Sequence, residues 1–319
     1  MERIDLSQIR FGACAWGYEM LKPGDVVGFK RVAEKVAGLP FPKRAEVIEI
    51  LDILDNDSHE ANMSASSEIN KIAEGLGLIV IVTAFNPAYL PSGVPSPHLT
   101  SEDGDERKEA KIRINRGIIH ANSYSRGKRP VILNGPSAFR HGYFPKGGLR
   151  EGEHELLIDS LGSLGSSLSD HNVELAIEPL NHGETYLFMP GDESLELVKK
   201  IRGGRVGLNL DTCHYAQDAG YGVNESLSKA LRAGKGFNLH LSENDRRQFG
   251  RGDIGARIVE IMRDVSRNIP AERILPITLE NFCPELYPTL RIHRADKKSP
   301  EEVVYAGANY ITHALHPYI

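Results

Sequence analysis

The sequence is poor in the features that mark secreted and membrane-spanning proteins. It contains only three cysteines, Cys14, Cys213 and Cys283, and such a small, odd number suits a reducing compartment rather than a disulfide framework. It has no run of about 18 apolar residues, the length that a membrane-spanning helix needs. Its first residues, MERIDLSQIR, lack the apolar stretch of a signal peptide. We therefore expect a cytoplasmic protein with no membrane partner.

The charge balance lacks the basic excess that nucleic-acid-binding proteins usually have. Lys and Arg total 38 against 43 Asp and Glu, which gives a net charge of -5 over 319 residues. Proteins that bind phosphate backbones do so through clustered Lys and Arg, so we expect no nucleic-acid partner. With 40% hydrophobic and 25% charged residues, the composition is that of a globular protein.

Short apolar runs alternate with helical patterns along the chain. The apolar runs cover residues 9–14, 47–51, 79–84, 130–133, 174–177, 206–210, 237–241 and 275–279. Helical patterns lie between several of them, at residues 106–122, 154–171, 194–201, 225–233 and 254–268. Short strands that alternate with helices indicate βαβ units and a parallel sheet.

Eight such units predict an α/β fold, a (β/α)8 TIM barrel that forms a single domain over residues 1–319. No linker rich in Pro, Gly or Ser divides the chain. A doubly wound open sheet is the competing fold, but the turn after the first run, FGACAWGYEM, is not the Gly-rich dinucleotide-binding turn. Residues 92–103 predict a long loop after the third strand, on the face where barrels build their active sites.

Four side chains of the kinds that bind metal ions lie at or near the ends of four consecutive apolar runs. Glu178 ends LAIEP, Asp211 ends GLNLD, His240 lies in FNLHL, and Glu280 ends PITLE. In a barrel these ends meet at one rim, so three carboxylates and one imidazole predict a site for a divalent cation such as Mg²⁺, Mn²⁺, Co²⁺ or Zn²⁺. The alternative is structural: the two glutamates would cap helices or form ion pairs, and His240 would be a core histidine.

The sequence around these residues resembles the sequences of a known superfamily. EPLNHGETY at 178–186, LDTCH at 210–214 and HLSENDRRQFGRGDIG at 240–255 resemble the xylose isomerase-like sugar isomerases and epimerases, and most of all the D-tagatose and D-psicose 3-epimerases. The resemblance is dense over residues 174–280 and thin before residue 130. It implies a divalent-metal-dependent enzyme that epimerises a keto sugar through an enediolate.

The resemblance also implies a role for each matching residue. Glu178, Asp211, His240 and Glu280 would bind one divalent metal ion, with Mn²⁺ expected first and Co²⁺ or Mg²⁺ as alternatives. Glu178 and Glu280 would also act as acid and base on opposite faces of the sugar. Three further residues would bind substrate oxygens: Glu184, His214 and Arg246. For His214 the alternative is a loop anchor. Arg246 and Arg247 lie in the same charged loop; position favours Arg246, and the alternative for one of the two is a solvated surface residue.

Two residues outside these motifs are further candidates. Gly135-Pro136 is followed by SAFRHGYFPKGG, a loop that is longer than the corresponding loop of the epimerases. It contains His141, which is a candidate catalytic acid or base because imidazole titrates near neutral pH. Its alternative is a surface histidine. Trp16, the only tryptophan, follows the first strand and either lines a substrate pocket or plugs the barrel. The continuation of the last strand, ENFCPELYPTLRIHR, also departs from the epimerases.

Several functions remain open at this point. Catalytic subunits of C-glycoside deglycosidases are similar to the same superfamily. An enzyme of this kind would use the same metal centre to eliminate an aglycone from a 3-keto C-glycoside. A small partner subunit would then be expected. An endonuclease IV-like DNA-repair nuclease shares the barrel, but the acidic charge disfavours it. A non-catalytic sugar-binding barrel is disfavoured by the intact ligand set. We expect a sugar or sugar conjugate as the ligand, and a homo-oligomer.

Overall fold

The protein is a closed barrel of eight parallel strands, seen in a computed structural model that describes residues 3–53, 56–89, 93–217, 222–281 and 298–319. The strands follow chain order around the barrel. They are β1 (Ile9–Cys14), β2 (Val47–Ile53), β3 (Ile79–Phe85), β4 (Val131–Gly135), β5 (Val173–Ile177), β6 (Val206–Asp211), β7 (Gly236–Leu241) and β8 (Leu275–Leu279).

Pairing of the first strand with the last closes the barrel. β1 and β8 pair from Ile9 with Leu275 to Ala13 with Leu279, while β1 pairs with β2 on its other side. The predicted (β/α)8 barrel is therefore confirmed. All eight apolar runs are strands, and their predicted bounds differ from the observed ones by at most two residues at an end.

Helices connect the strands and cover the outside of the barrel. They are α1 (Val26–Ala37), α2 (Asn56–Gly75), α3 (Gly104–Asn122), α4 (Glu153–Gly162), α5 (Gly165–Asp170), α6 (Asp192–Lys200), α7 (Thr212–Gln217), α8 (Val223–Arg232), α9 (Asp253–Ala256), α10 (Ile258–Asn268) and α11 (Pro300–Leu315). In α1, Phe29, Val32, Ala33 and Val36 are buried, the spacing of an amphipathic helix that packs on a core. No helix in the described ranges combines the length and the apolar character needed to cross a bilayer.

Two of the predicted helices are interrupted. Residues 154–171 were predicted as one helix, but α4 ends at Gly162 and α5 begins at Gly165, because glycine has a low helix propensity. The predicted helix 254–268 is divided at Arg257, which lies between α9 and α10 and has a φ of -104°. Neither break changes the order of the barrel units.

Side chains inside the barrel form layers. Val47, Ile81 and Ile132 belong to one buried apolar cluster. Glu49, Thr83 and Asn134 lie two residues further along the same strands, and all three are buried. They are therefore on the same inward face of the barrel. An apolar layer therefore lies beneath a polar one, and the polar layer lies nearer the carboxyl ends of the strands, where the functional residues of barrels are found.

The contact between β1 and β2 leaves no room for a side chain at Gly12. A Cβ atom there would overlap the main-chain carbonyl of Val47. We expect Gly12→Ala to lower the free energy of unfolding by about 3 kcal/mol, the upper part of the usual cost of overpacking. Gly162→Ala, whose Cβ would meet no atom within 4 Å, should instead be neutral or stabilising by up to about 1 kcal/mol. Urea denaturation of both variants measures the difference, and equal effects would contradict the tight β1–β2 contact.

Candidate metal and active site

The four predicted metal ligands meet at the carboxyl-terminal rim of the barrel. Glu178 directly follows β5, Asp211 is the last residue of β6, His240 is the fifth residue of β7, and Glu280 directly follows β8. One ligand atom from each lies within 4.8 Å of the others, and all four residues are buried. The structure thus brings together every residue of the set; their role as ligands stays a prediction.

The His240 ring is oriented by a carboxylate that sequence analysis missed. Its Nε2 lies 2.9 Å from Oε1 of Glu49 and 3.1 Å from Oε2. Its Nδ1 faces the acids, 3.5 Å from Oε1 of Glu178 and 3.6 Å from Oε1 of Glu280. The available signal was a charged residue inside the apolar run VIEIL, because a charged side chain within a buried strand needs a partner.

Opposite charges explain the protonation of this buried pair. Burial alone would raise the pKa of Glu49, but the His240 ring and the hydrogen bonds from Thr83 and Asn134 outweigh it and lower the pKa to about 2. Burial alone would lower the pKa of His240, but the charges of Glu49 and Glu280 raise it well above its ordinary value. Glu49 is therefore ionised near neutral pH.

The cluster has the chemistry of a cation site. Oε1 of Glu178 is buried and accepts no hydrogen bond within the described part of the chain. Three carboxylates and one imidazole nitrogen are donors that Mn²⁺, Co²⁺ and Mg²⁺ accept. Carboxylates buried this close together repel one another unless positive charge compensates them, so these residues fit a divalent ion.

Arg246 supplies positive charge within the cluster. Its Nη1 lies 2.8 Å from Oδ2 of Asp211 and forms an ion pair with Glu280. The residue has a φ of +59°, a left-handed conformation that is costly for a side chain other than glycine and clusters at functional sites. Arg247 instead pairs with Asp245, and its side chain is 41% exposed. Between the two arginines, the structure therefore places Arg246 in the site.

His214 connects Arg246 to the loop after β5. Its Nε2 lies 2.9 Å from Nη2 of Arg246, and its Nδ1 lies 2.9 Å from Nδ2 of Asn181. The same Asn181 amide donates to Oε1 of Glu184 at 2.9 Å. The main-chain N of Asn181 also donates to His214 Nδ1 at 3.3 Å. His214 therefore anchors the loop and contacts the site residues; its role in binding substrate stays a prediction.

His141 joins the other end of this hydrogen-bonded chain. Its Nε2 lies 3.0 Å from Oε2 of Glu184, and its main-chain N donates to the carbonyl of Asn86 at 3.0 Å, while Gly142 N donates to the carbonyl of Glu184 at 2.9 Å. The loop after β4 is thus fixed to the loops after β3 and β5. These contacts place the His141 ring beside Glu184, and its catalytic role stays a prediction.

Exposure of the side chains shows where the site opens. The Asp211 and His240 side chains are 0% exposed, those of Glu184 and His141 31% and 32%. Trp16 is buried, with its ring centroid 6.4 Å from that of His240 in an edge-on contact. Trp16 therefore forms a wall beside the candidate ligands, and the Glu184–His141 pair forms the mouth of the site.

The pKa values of the acidic residues of the site are shifted in different directions. Burial raises the pKa of Glu280 more than Arg246 and His240 lower it, so its pKa lies above the ordinary value. For Asp211, Arg246 and the two imidazoles outweigh burial and lower the pKa. For Glu184, burial is outweighed by the hydrogen bond from His141 and by the charges of His214 and Arg246, which lower its pKa to about 2.

The loop after β7 is built around a second buried carboxylate that sequence analysis missed. Glu243 accepts main-chain hydrogen bonds from Gly250 at 2.8 Å, Ile254 at 3.0 Å and Gly255 at 3.0 Å. Cβ atoms at Gly252 or Gly255 would overlap this carboxylate, which explains two of the three glycines of GRGDIG. In many barrels, backbone groups near the last strands and a short extra helix bind a phosphate, whereas here a side chain of the protein itself takes these donors.

Two predictions concern residues that the structure does not describe. Cys283 and most of the sequence that continues β8 lie within residues 282–297, outside the described ranges. Residue 92, the first of the predicted loop 92–103, is also outside them, and the described remainder leads directly to α3.

A parallel (β/α)8 barrel with a carboxylate–imidazole cluster at its carboxyl-terminal rim defines a class of proteins whose functional groups lie on the strand ends. Within that class, the family model described as "Xylose isomerase-like TIM barrel" matches residues 45–269. The chain belongs to this family, as the resemblance predicted.

Known proteins similar to this chain include ketose epimerases. D-psicose 3-epimerase of Ruminiclostridium cellulolyticum is 27% identical over 248 residues, which are 75% of either chain. Among solved structures, D-allulose 3-epimerase from Methylomonas sp. in complex with D-allulose has a TM-score of 0.74 at 16% identity and covers 100% of this chain and 99% of its own. 3-Keto-D-glucoside 4-epimerase from E. coli has a TM-score of 0.67 at 14% identity, over 95% and 98%. At these identities the structural matches show the shared fold.

Acid should weaken the folded protein partly through Glu184. Its pKa is about 2 in the folded protein against an ordinary value of 4.5, so between these pH values the unfolded chain binds more protons. The free energy of unfolding therefore falls as the pH falls through this range. In Glu184→Gln this carboxyl no longer titrates, and we expect a shallower fall between pH 4.5 and 2 in urea denaturation of the metal-free protein. Equal slopes for both proteins would contradict the assigned contacts of Glu184.

Proposed function

We propose that the protein is a divalent-metal-dependent epimerase or isomerase of a keto sugar. The observation that supports this most is the meeting of Glu178, Asp211, His240 and Glu280 within 4.8 Å at the barrel rim. Mn²⁺ is the ion we propose first, with Co²⁺ and Mg²⁺ as alternatives. A bound ion would act as a Lewis acid that stabilises negative charge on oxygens of the substrate.

Glu178 and Glu280 are suited to act as acid and base. They extend from β5 and β8, three strands apart in a ring of eight, so they approach the site from different sides of the rim. One carboxylate would remove the proton next to the substrate carbonyl to give an enediolate, and the other would return a proton to the opposite face. This exchange inverts the stereocentre.

Glu184, His214 and Arg246 would bind and orient the sugar. They form a continuous polar chain from the mouth to the cluster, with Glu184 half-buried and Arg246 paired with Asp211 and Glu280. Hydroxyl and carbonyl oxygens of a sugar can replace or share such hydrogen bonds. Trp16 would exclude water on the side of His240.

The sugar we propose is unphosphorylated. Glu243 occupies the main-chain donors of the loop after β7, where a phosphate would have to displace a buried carboxylate of the protein. The relative at 27% identity is named for its action on D-psicose, which supports a free ketose as substrate.

A second function is favoured by one observation. His141 lies at the open side of the site and is hydrogen-bonded to Glu184, so it could contact a substituent that a free ketose lacks. Elimination of an aglycone from a 3-keto C-glycoside, with His141 as the general acid or base, would use this arrangement.

Metal content and proton exchange test the main proposal. We expect protein purified without chelator to contain a single divalent ion per chain, and to exchange a carbon-bound proton of a ketohexose for deuterium in D₂O. Chelation should abolish exchange, and Mn²⁺ or Co²⁺ should restore it. A 3-keto C-glycoside assayed in parallel separates the two functions, since release of its aglycone without ketohexose exchange favours elimination. Absence of both metal and rescue would overturn the metal-dependent mechanism.

Glu280→Gln tests the acid–base assignment. The amide keeps the size of the side chain but cannot accept or deliver the proton, so we expect deuterium exchange to fall by a factor of at least about 100. Glu174→Gln is the control, because Glu174 lies in β5 but pairs with Arg273 outside the cluster. An exchange rate in Glu280→Gln equal to that of the control would show that Glu280 is neither acid nor base.

A further inference from the structure

The buried carboxylate of Glu49 is not one of the four candidate ligands at the rim, yet it contacts one of them, His240, directly. We propose that Glu49 is a positioning residue: it fixes the orientation and tautomer of the His240 ring so that Nδ1 is presented to a divalent cation. The inference rests on the proposed metal site, and it concerns how the chain prepares that site.

Glu49 has no access to a substrate, because it is 0% exposed and lies in the polar layer inside the barrel. Its oxygens accept hydrogen bonds from Asn134 Nδ2 at 2.8 Å and Thr278 Oγ1 at 2.8 Å, and from Thr83 Oγ1. These donors come from β3, β4 and β8. The carboxylate is therefore held from several sides of the barrel, and among the residues that the structure describes it meets the candidate cation site through the ring of His240.

The contacts of the His240 ring indicate which of its nitrogens would bind a cation. A carboxylate oxygen accepts a hydrogen bond from a ring N–H, so Nε2, at 2.9 Å and 3.1 Å from the Glu49 oxygens, is the nitrogen that keeps its proton. Nδ1 faces Glu178 and Glu280, so it is the nitrogen that would give up its proton to a cation and supply the lone pair. Asn209 Nδ2 lies 3.3 Å from Nδ1 and 3.4 Å from Nε2, so it favours neither nitrogen. Glu49 makes the shortest of these contacts with the ring, both of them at Nε2, where Asn134 Nδ2 also lies, at 3.5 Å.

A hydrogen bond of this kind has two effects on a metal-binding histidine. It keeps the ring from rotating, and it makes the free nitrogen a stronger base, so that loss of the partner typically lowers metal affinity by about 10- to 100-fold. Both effects act on binding of the ion, before any substrate is present. Binding of metal alone is therefore the direct readout.

The chain offers a matched control on the opposite face of β2. Asp52 is also buried and also binds a buried histidine, with Oδ2 lying 2.8 Å from Nδ1 of His120. The other nitrogen of His120 lies 3.0 Å from the hydroxyl of Tyr124. Asp52→Asn therefore disturbs the same kind of pair, on the same strand, at a histidine outside the candidate metal site.

The metal affinities of Glu49→Gln and Asp52→Asn test the proposal. In competition with a chromophoric chelator, we expect the affinity for Mn²⁺ to fall by about 10- to 100-fold in Glu49→Gln and to change less than about 2-fold in Asp52→Asn. Thr278→Val, which removes one hydrogen-bond donor but keeps the carboxylate, should give an intermediate loss. This variant also tests the role of Glu49 if Glu49→Gln does not fold.

Nitrogen-15 NMR of the Zn²⁺-loaded wild-type protein, with His240→Gln to assign the ring signals, identifies the bound nitrogen. We expect a metal-bound Nδ1 and a slowly exchanging proton on Nε2. Zn²⁺ bound through Nε2, equal losses of affinity in Glu49→Gln and Asp52→Asn, or no loss in either would overturn the proposal. Because neither measurement uses a sugar, a failure of the proposed epimerase activity would appear separately, as Nδ1-bound metal without proton exchange.

Discussion

Closure of eight parallel strands into a ring is the constraint on which the rest of the structure depends. Alternate residues of each strand must point into a narrow interior that side chains fill. A polar group placed there can be satisfied only by its neighbours in the same layer, as Glu49 is by Thr83, Asn134 and Thr278. The same closure collects the strand ends at one rim, so that residues far apart in the chain become neighbours.

Several carboxylates are buried close together at that rim, although burying negative charge makes folding less favourable. Taking carboxylates out of water is costly unless positive charge compensates them. Here His240 and Arg246 provide part of this compensation, and Arg246 does so from a left-handed backbone conformation. A site that accepts both buried charge and backbone strain is typical of a functional centre, and a divalent cation is the partner that its donors fit.

The mouth of the site shows how one barrel can serve different reactions. The ligand cluster depends on strand ends, whereas the mouth depends on loops: main-chain hydrogen bonds join His141 to Asn86 and Gly142 to Glu184. Changes in these loops leave the barrel intact, because function in such folds resides in sites built on a shared framework.

Local sequence patterns were enough for the strands, the barrel and the four rim residues, because a strand, its length and its last residue are properties of a short segment. Gly162 and Gly165 interrupt a helical pattern that otherwise looked continuous, and Glu49 looked like one charge in an apolar run. Tertiary structure decided that Glu49 meets His240, that His141 meets Glu184, and that Arg246 rather than Arg247 enters the cluster. These contacts depend on strand register and loop packing, which bring together side chains up to 191 residues apart. The local pattern can show that a residue such as Glu49 needs a partner, but it does not identify that partner.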